Sequence, residues 1–153
     1  MNIVNNNKIF STIYLQDNLG VNMLKNLYKK IIKPVYAHCD LPCGVYDPFQ
    51  AMIEAKSILE ILKKYPELSD IDKQRAIFIK EQRAEMVKHH LWVLWTDYFK
   101  EEHIEKFPKL HELVWQTTKQ AGKTKKTTEI VEAQKLIDGI EELSKIFWET
   151  KKT

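Results

Sequence analysis

The sequence predicts an all-α fold, an antiparallel four-helix bundle. After residue 47, apolar residues recur at helical spacing in four successive segments. Only four Gly and five Pro occur in 153 residues, too few for the many tight turns of an all-β protein. A hydrophobic share of 44%, with four Trp, six Tyr and six Phe, supplies one domain's core without disulfide staples.

The first helix opens at Asp47-Pro48, a good N-cap and first-turn pair. Met52, Ile53, Leu59 and Leu62 then keep helical phase until Tyr65-Pro66 ends the run. Ser69 with Asp72 resembles a capping box and opens the second helix. That helix runs without Gly or Pro to about Lys100, through Ile71, Phe78, Ile79, Met86, Leu91, Leu94 and Trp95. A short third helix spans roughly 108–120, with Leu110, Leu113 and Val114 inward. Gly122-Lys123-Thr124-Lys125-Lys126 reads as a solvated loop. The fourth helix, about 128–148, carries Ile130, Ala133, Leu136, Ile137, Ile140, Leu143 and Phe147. Four amphipathic helices with short connections form an antiparallel bundle. Trp92, Trp95, Tyr98 and Phe99 spread around more than one helix face, which points to burial against a partner subunit.

Charge separates the chain into two parts. Residues 1–37 hold five lysines against Asp17 alone, a net +4, whereas residues 38–153 hold 19 basic and 20 acidic residues, a net −1. The basic balance belongs to the leader, so a nucleic-acid partner is not expected. No run reaches the roughly 18 apolar residues of a membrane span, and the leader lacks the apolar core of a secretory signal. Two cysteines separated by three residues do not make a secreted disulfide framework, so a cytoplasmic location with free thiols is expected.

The histidines do not form a di-iron bundle site, because no Glu has a His three residues later. Glu85 with His89 is the nearest pattern, and His89, His90, His103 and His111 read as packing or surface residues. Neither a phosphate-binding Gly-rich loop nor a nucleophile elbow occurs. The chemistry concentrates instead in His38-Cys39-Asp40-Leu41-Pro42-Cys43-Gly44-Val45-Tyr46-Asp47-Pro48. From spacing alone, Cys39 and Cys43 could form a small disulfide or bind zinc with help from another chain. A cut between Ala37 and His38 would give the stretch an α-amine, an imidazole and the Cys39 backbone nitrogen beside its two thiolates. Two nitrogens and two sulfurs in a plane, with an axial imidazole, suit square-planar Ni(II) or Cu(II) better than tetrahedral zinc. The different-class reading is a non-enzymatic helical bundle whose Cys pair is a thiol switch or a structural metal clip.

HCDLPCGVYDP closely resembles the nickel-binding hook of nickel-containing superoxide dismutases. The likeness continues through residues 79–85, 88–90 and 94–100, and closes with 145–152, so it covers essentially all of 38–153. Residues 23–37, MLKNLYKKIIKPVYA, resemble that family's short leader, which makes Met23 an alternative start to Met1. Read from composition alone, 1–37 is equally an extension that stays attached. The resemblance implies a leader of 1–37 removed by a processing peptidase and a bundle domain of 38–153 with its hook at 38–46. It further implies a homohexamer with one nickel ion per subunit, converting superoxide to dioxygen and hydrogen peroxide by Ni(II)/Ni(III) cycling.

By motif position, the His38 amine, the Cys39 amide nitrogen and the thiolates of Cys39 and Cys43 would hold nickel, with the His38 imidazole axial. Glu54 and Arg83 fall where the family orients that imidazole. Asp40 and Tyr46 match positions lining substrate access and proton delivery, and Pro42 and Gly44 those that shape the hook. Lys88 or Lys100 is a candidate for positive potential drawing in the anionic substrate, the plainer reading of each being a solvated face.

Overall fold

The computed structural model describes residues 44–152. Helix α1 (Phe49–Lys64) begins as the sequence predicts. Asp47 Oδ1 accepts the Phe49 N–H at 2.8 Å, and the Pro48 carbonyl accepts from Met52 N at 3.2 Å. A single 3₁₀ turn, Tyr65–Glu67, with Pro66 inside it, closes the helix. Helix α2 (Asp70–Val93) is capped by Ser69, whose Oγ accepts from Asp72 N at 3.2 Å. The Asp72 carboxylate accepts the Ser69 hydroxyl at 2.8 Å, so the expected cap is formed side chain to side chain. A π-helical turn, Leu94–Tyr98, ends α2, with Phe99 N donating to the Leu94 carbonyl at 3.0 Å.

The expected third helix is α4 (Leu110–Lys125), and a short helix the sequence did not reveal, α3 (Glu101–Lys106), precedes it. Residues 101–106 carry one apolar side chain, Ile104, and so lack a readable period. The expected loop at 122–126 is a correction: α4 continues to Lys125. Ala121 and Thr124 are fully buried, and Thr124 Oγ1 donates to the Gln120 carbonyl at 2.9 Å, so the last turn belongs to the core. Helix α5 (Ile130–Thr150) follows, displaced two residues from its expected bounds.

The four long helices form a ring in which α1 packs on α2, α2 on α4, α4 on α5, and α5 back on α1. Ala51, Ala55, Ile58 and Leu62 of α1 and Ala133, Leu136, Ile140, Leu143 and Phe147 of α5 are almost completely enclosed. Their alternating three- and four-residue spacing is the inward stripe of a bundle helix. Helices α4 and α5 meet at Gly139, where a β-carbon would lie 2.7 Å from Thr117 Oγ1. Of the residues that mark α2 as apolar, Leu91 faces this core but those before Val87 do not. Ile71, Phe78 and Met86 are exposed, and the buried face is Ala76, Lys80, Ala84, Val87 and Leu91. No helix among the described residues is long and apolar enough to cross a membrane.

Candidate metal centre

Ala37, His38, Cys39, Asp40, Pro42 and Cys43 lie outside the described residues. The structure begins at Gly44, whose φ is +69°. That left-handed conformation is cheap for glycine and strained for other residues, while the space around its missing β-carbon is open. The backbone path, not crowding, requires glycine there. Three residues on, Asp47 caps α1, so a sharp turn leads directly into a rigid helix start.

Tyr46 sits between these two points, half-buried against the core. Its ring centroid is 5.6 Å from that of Tyr98, tilted by 49°. Tyr98 is itself held on several sides. Its ring lies 4.5 Å from Phe147 and 5.6 Å from His103, and its hydroxyl is 2.6 Å from Thr150 Oγ1. The Lys151 ammonium lies 4.8 Å above the ring. Tyr98 thus backs Tyr46, and Lys151 covers Tyr98. The sequence placed Tyr98 only in an aromatic cluster, since a contact between residues 46 and 98 has no local signature.

Glu54 lies in the second turn of α1 and Arg83 midway along α2. Glu54 is 7% exposed. Arg83 Nη1 donates to its Oε2 at 3.0 Å and its Oε1 at 3.3 Å. The arginine is the wetter partner and borders a groove of about 480 Å³ lined by Gln82, Glu85, Met86, His89 and His90. A carboxylate sunk in a bundle with its charge compensated can accept an N–H bond without carrying an uncompensated charge into the core.

Lys88 pairs with Glu85 at 3.3 Å and lies 5.1 Å over Trp92. Lys100 precedes α3 on the surface. The imidazoles engage aromatic rings and each other: His111 with Trp95 at 5.1 Å, His103 with Tyr98, and His89 with His90 at 5.6 Å. Of the aromatic cluster, Trp92 remains exposed while Phe99 is buried.

Two polar networks went unread in the sequence. Lys80 is 1% exposed, and its ammonium donates to the carbonyls of Thr124, Lys125 and Thr127 at 3.0, 2.8 and 2.6 Å. Burial pulls its pKa below the usual lysine value, with Glu81 opposing. The available signal was its phase, since it lies four residues from Ala76 and from Ala84 on the inward stripe. Glu132, near the start of α5, accepts from Gln120 Nε2 at 2.8 Å, Lys123 at 2.9 Å and Lys135 at 3.0 Å. The Gln120 bond foremost, then the two lysines, holds its carboxyl down at about 2.

Among the described residues no three His, Cys, Asp or Glu side chains stand close enough to hold a metal ion. The candidate donors are therefore those of 38–43, with both thiols of the chain among them. Two thiolates, an imidazole and nitrogen donors form a soft, strongly donating set that fits nickel.

Comparison with known proteins bears on the same stretch. Residues 33–151 match the family model of nickel-containing superoxide dismutase. The superoxide dismutase [Ni] of Streptomyces seoulensis is 53% identical over 131 residues, covering 85% of this chain and 99% of the relative. Its counterpart from Streptomyces coelicolor is 51% identical over 131 residues, with the same coverage. A crystal structure of a Ni-containing superoxide dismutase with Ni-ligation corresponding to the oxidized state matches with a TM-score of 0.73 at 54% identity. It covers 76% of this chain and 100% of that chain. A native nickel superoxide dismutase structure gives the same TM-score and coverage at 51% identity.

Proposed function

The chain belongs to the nickel-containing superoxide dismutases, and we propose that it becomes active only when residues 1–37 are removed and His38 is the N-terminus. Its reaction is 2 O₂⁻ + 2 H⁺ → O₂ + H₂O₂, for which a nickel ion, once bound, would supply the one-electron Ni(II)/Ni(III) chemistry. The His38 amine and imidazole, the Cys39 amide nitrogen and the thiolates of Cys39 and Cys43 would hold the ion. Anionic sulfur and a deprotonated amide donate strongly enough to bring the higher oxidation state within reach.

Glu54 orients the His38 ring by accepting its N–H, and Arg83 keeps Glu54 charged and in place. The observation that carries this reading is the buried Glu54 carboxylate with its charge met by Arg83. Gly44, at φ +69°, and Pro42 give the hook its turn. Asp40 and Tyr46 line the approach of superoxide and help deliver protons, with Tyr46 held against Tyr98.

Lengths support processing. The 131 residues shared with the curated relatives equal the span 23–153. The two solved chains compared above each cover 76% of this chain, the share taken by the 116 residues of 38–153. We assign the cut at Ala37–His38 to a dedicated peptidase and the enzyme to the cytoplasm. Assembly as a homohexamer is supported by the exposed apolar side chains of α2, Phe78 at 64% and Ile71 at 74%.

The test compares the full chain with protein beginning at His38, both loaded with nickel, by superoxide consumption and electron paramagnetic resonance. The shortened protein should turn over and show low-spin Ni(III) with axial nitrogen splitting; the full chain should do neither. Equal behaviour of the two would refute the maturation step. Cys39→Ser and Cys43→Ser should each abolish turnover while the helical circular dichroism stays. Retained turnover in either would overturn the ligand set.

A further inference from the structure

Helix α2 carries Arg83, yet the half of the helix around it has few apolar anchors. Before Val87, its buried side chains are Ala76, Lys80 and Ala84, two of them a single methyl group, while Ile71, Phe78 and Met86 face outward. Lys80 is the one large enclosed side chain in this half, one helical turn before Arg83. Its ammonium is saturated: three protons meet three carbonyls, those of Thr124 and Lys125 at the end of α4 and of Thr127 in the turn beyond. Three charge-assisted bonds to fixed backbone oxygens allow less sliding than apolar packing, because each weakens steeply with misplacement. One further tie joins the same elements on the surface, Lys125 Nζ to Glu85 at 2.8 Å.

We propose that Lys80 is a positioning residue for the metal centre: the carbonyl cage at the end of α4 grips its ammonium, sets the register of α2, and thereby places Arg83 on Glu54. The chain of action is physical at each link. The cage fixes Lys80, the helix is rigid over the one turn to Arg83, and the guanidinium meets Glu54 at 3.0 Å. This inference rests on the reading of Glu54 and Arg83 as the pair that orients the His38 imidazole.

The experiment uses the nickel-loaded chain beginning at His38 and reads the axial nitrogen splitting of Ni(III), which a merely structural lysine would not move. Arg83→Met comes first and should broaden or remove that splitting. If it does not, the Glu54–Arg83 reading itself fails. With that change established, Lys80→Met should reproduce it, and Lys125→Ala, which removes the surface tie alone, should leave the spectrum as in the parent. Lys80→Ala should regain the parent splitting when n-propylammonium is supplied as a free cation for the cage. An unchanged splitting in Lys80→Met beside an altered one in Arg83→Met would overturn the proposal. So would a Lys125→Ala spectrum as altered as that of Lys80→Met, or no rescue by the amine. If Lys80→Met does not fold, Lys80→Gln, which keeps a donor without the charge, is read by the same spectrum and judged by the same outcomes.

Discussion

Removing Arg83 should cost more than neutralising Glu54, although the two share one ion pair. The asymmetry comes from exposure: the side chain of Glu54 is 9% exposed and that of Arg83 42%. Arg83→Ala leaves a carboxylate in the bundle without its cation. Stripping one partner from a fully buried pair costs about 3–5 kcal/mol, and an exposed pair is worth about 0–1 kcal/mol. The half-wet arginine places this site between those limits, at about 2 kcal/mol. Glu54→Gln instead leaves a guanidinium that turns toward the groove and water, at a cost below about 1 kcal/mol.

Urea unfolding of the metal-free chain from His38, followed by circular dichroism at one protein concentration and pH 7, measures both. Thermal unfolding followed by the same signal should show the arginine variant melting roughly 8 °C lower for a chain of this size. The difference should survive 0.5 M NaCl, because the carboxylate is shielded from screening ions. Equal costs for the two variants, or an Arg83→Ala cost under about 0.5 kcal/mol, would refute the reasoning from burial.

Gly139→Ala would drive a methyl group to 2.7 Å from Thr117 Oγ1. Overpacking costs about 1–3 kcal/mol, offset by about 1 kcal/mol of helix propensity, so a net loss is expected. Adding Thr117→Ala should restore part of it; a Gly139→Ala chain more stable than its parent would contradict the close approach of α4 and α5. Glu132 governs an acid limb of the stability curve. Its folded pKa is about 2 against an ordinary 4.5, so the unfolded chain binds more protons between those values. The stability it contributes is complete above about pH 4.5 and is lost as pH falls toward 2. Glu132→Gln should lower stability at pH 7 and flatten the slope between pH 4.5 and pH 2; an unchanged slope would remove Glu132 from the account.

Much of the bundle was legible because helix signals are local. Asp47-Pro48 and Ser69 mark starts by hydrogen bonds that span two or three residues. The α5 stripe from Ala133 to Phe147 repeats one period throughout, and the structure buries every member of it. Local reading failed where a distant group changed the outcome. The lysine-rich 122–126 segment reads as solvated, but Lys80, more than forty residues earlier, satisfies the carbonyls that end α4. Ile71, Phe78 and Met86 look like a core stripe, yet the bundle takes the small face of α2 instead. Ala76 and Ala84 let the helices approach closely, and Ile71, Phe78 and Met86 are left outside.

The helical class, the start of α1 and the six consecutive residues 38–43 that carry both cysteines beside a histidine were written in the sequence. Those features depend on neighbours along the chain, so spacing alone expresses them. Only the tertiary structure decided that Arg83 meets Glu54 at 3.0 Å, that Tyr98 backs Tyr46, and that Lys80 is buried as a cation. Each joins residues tens of positions apart. Whether such a charge is solvated or enclosed depends on how the helices are rotated about their axes, which no single helix's sequence specifies.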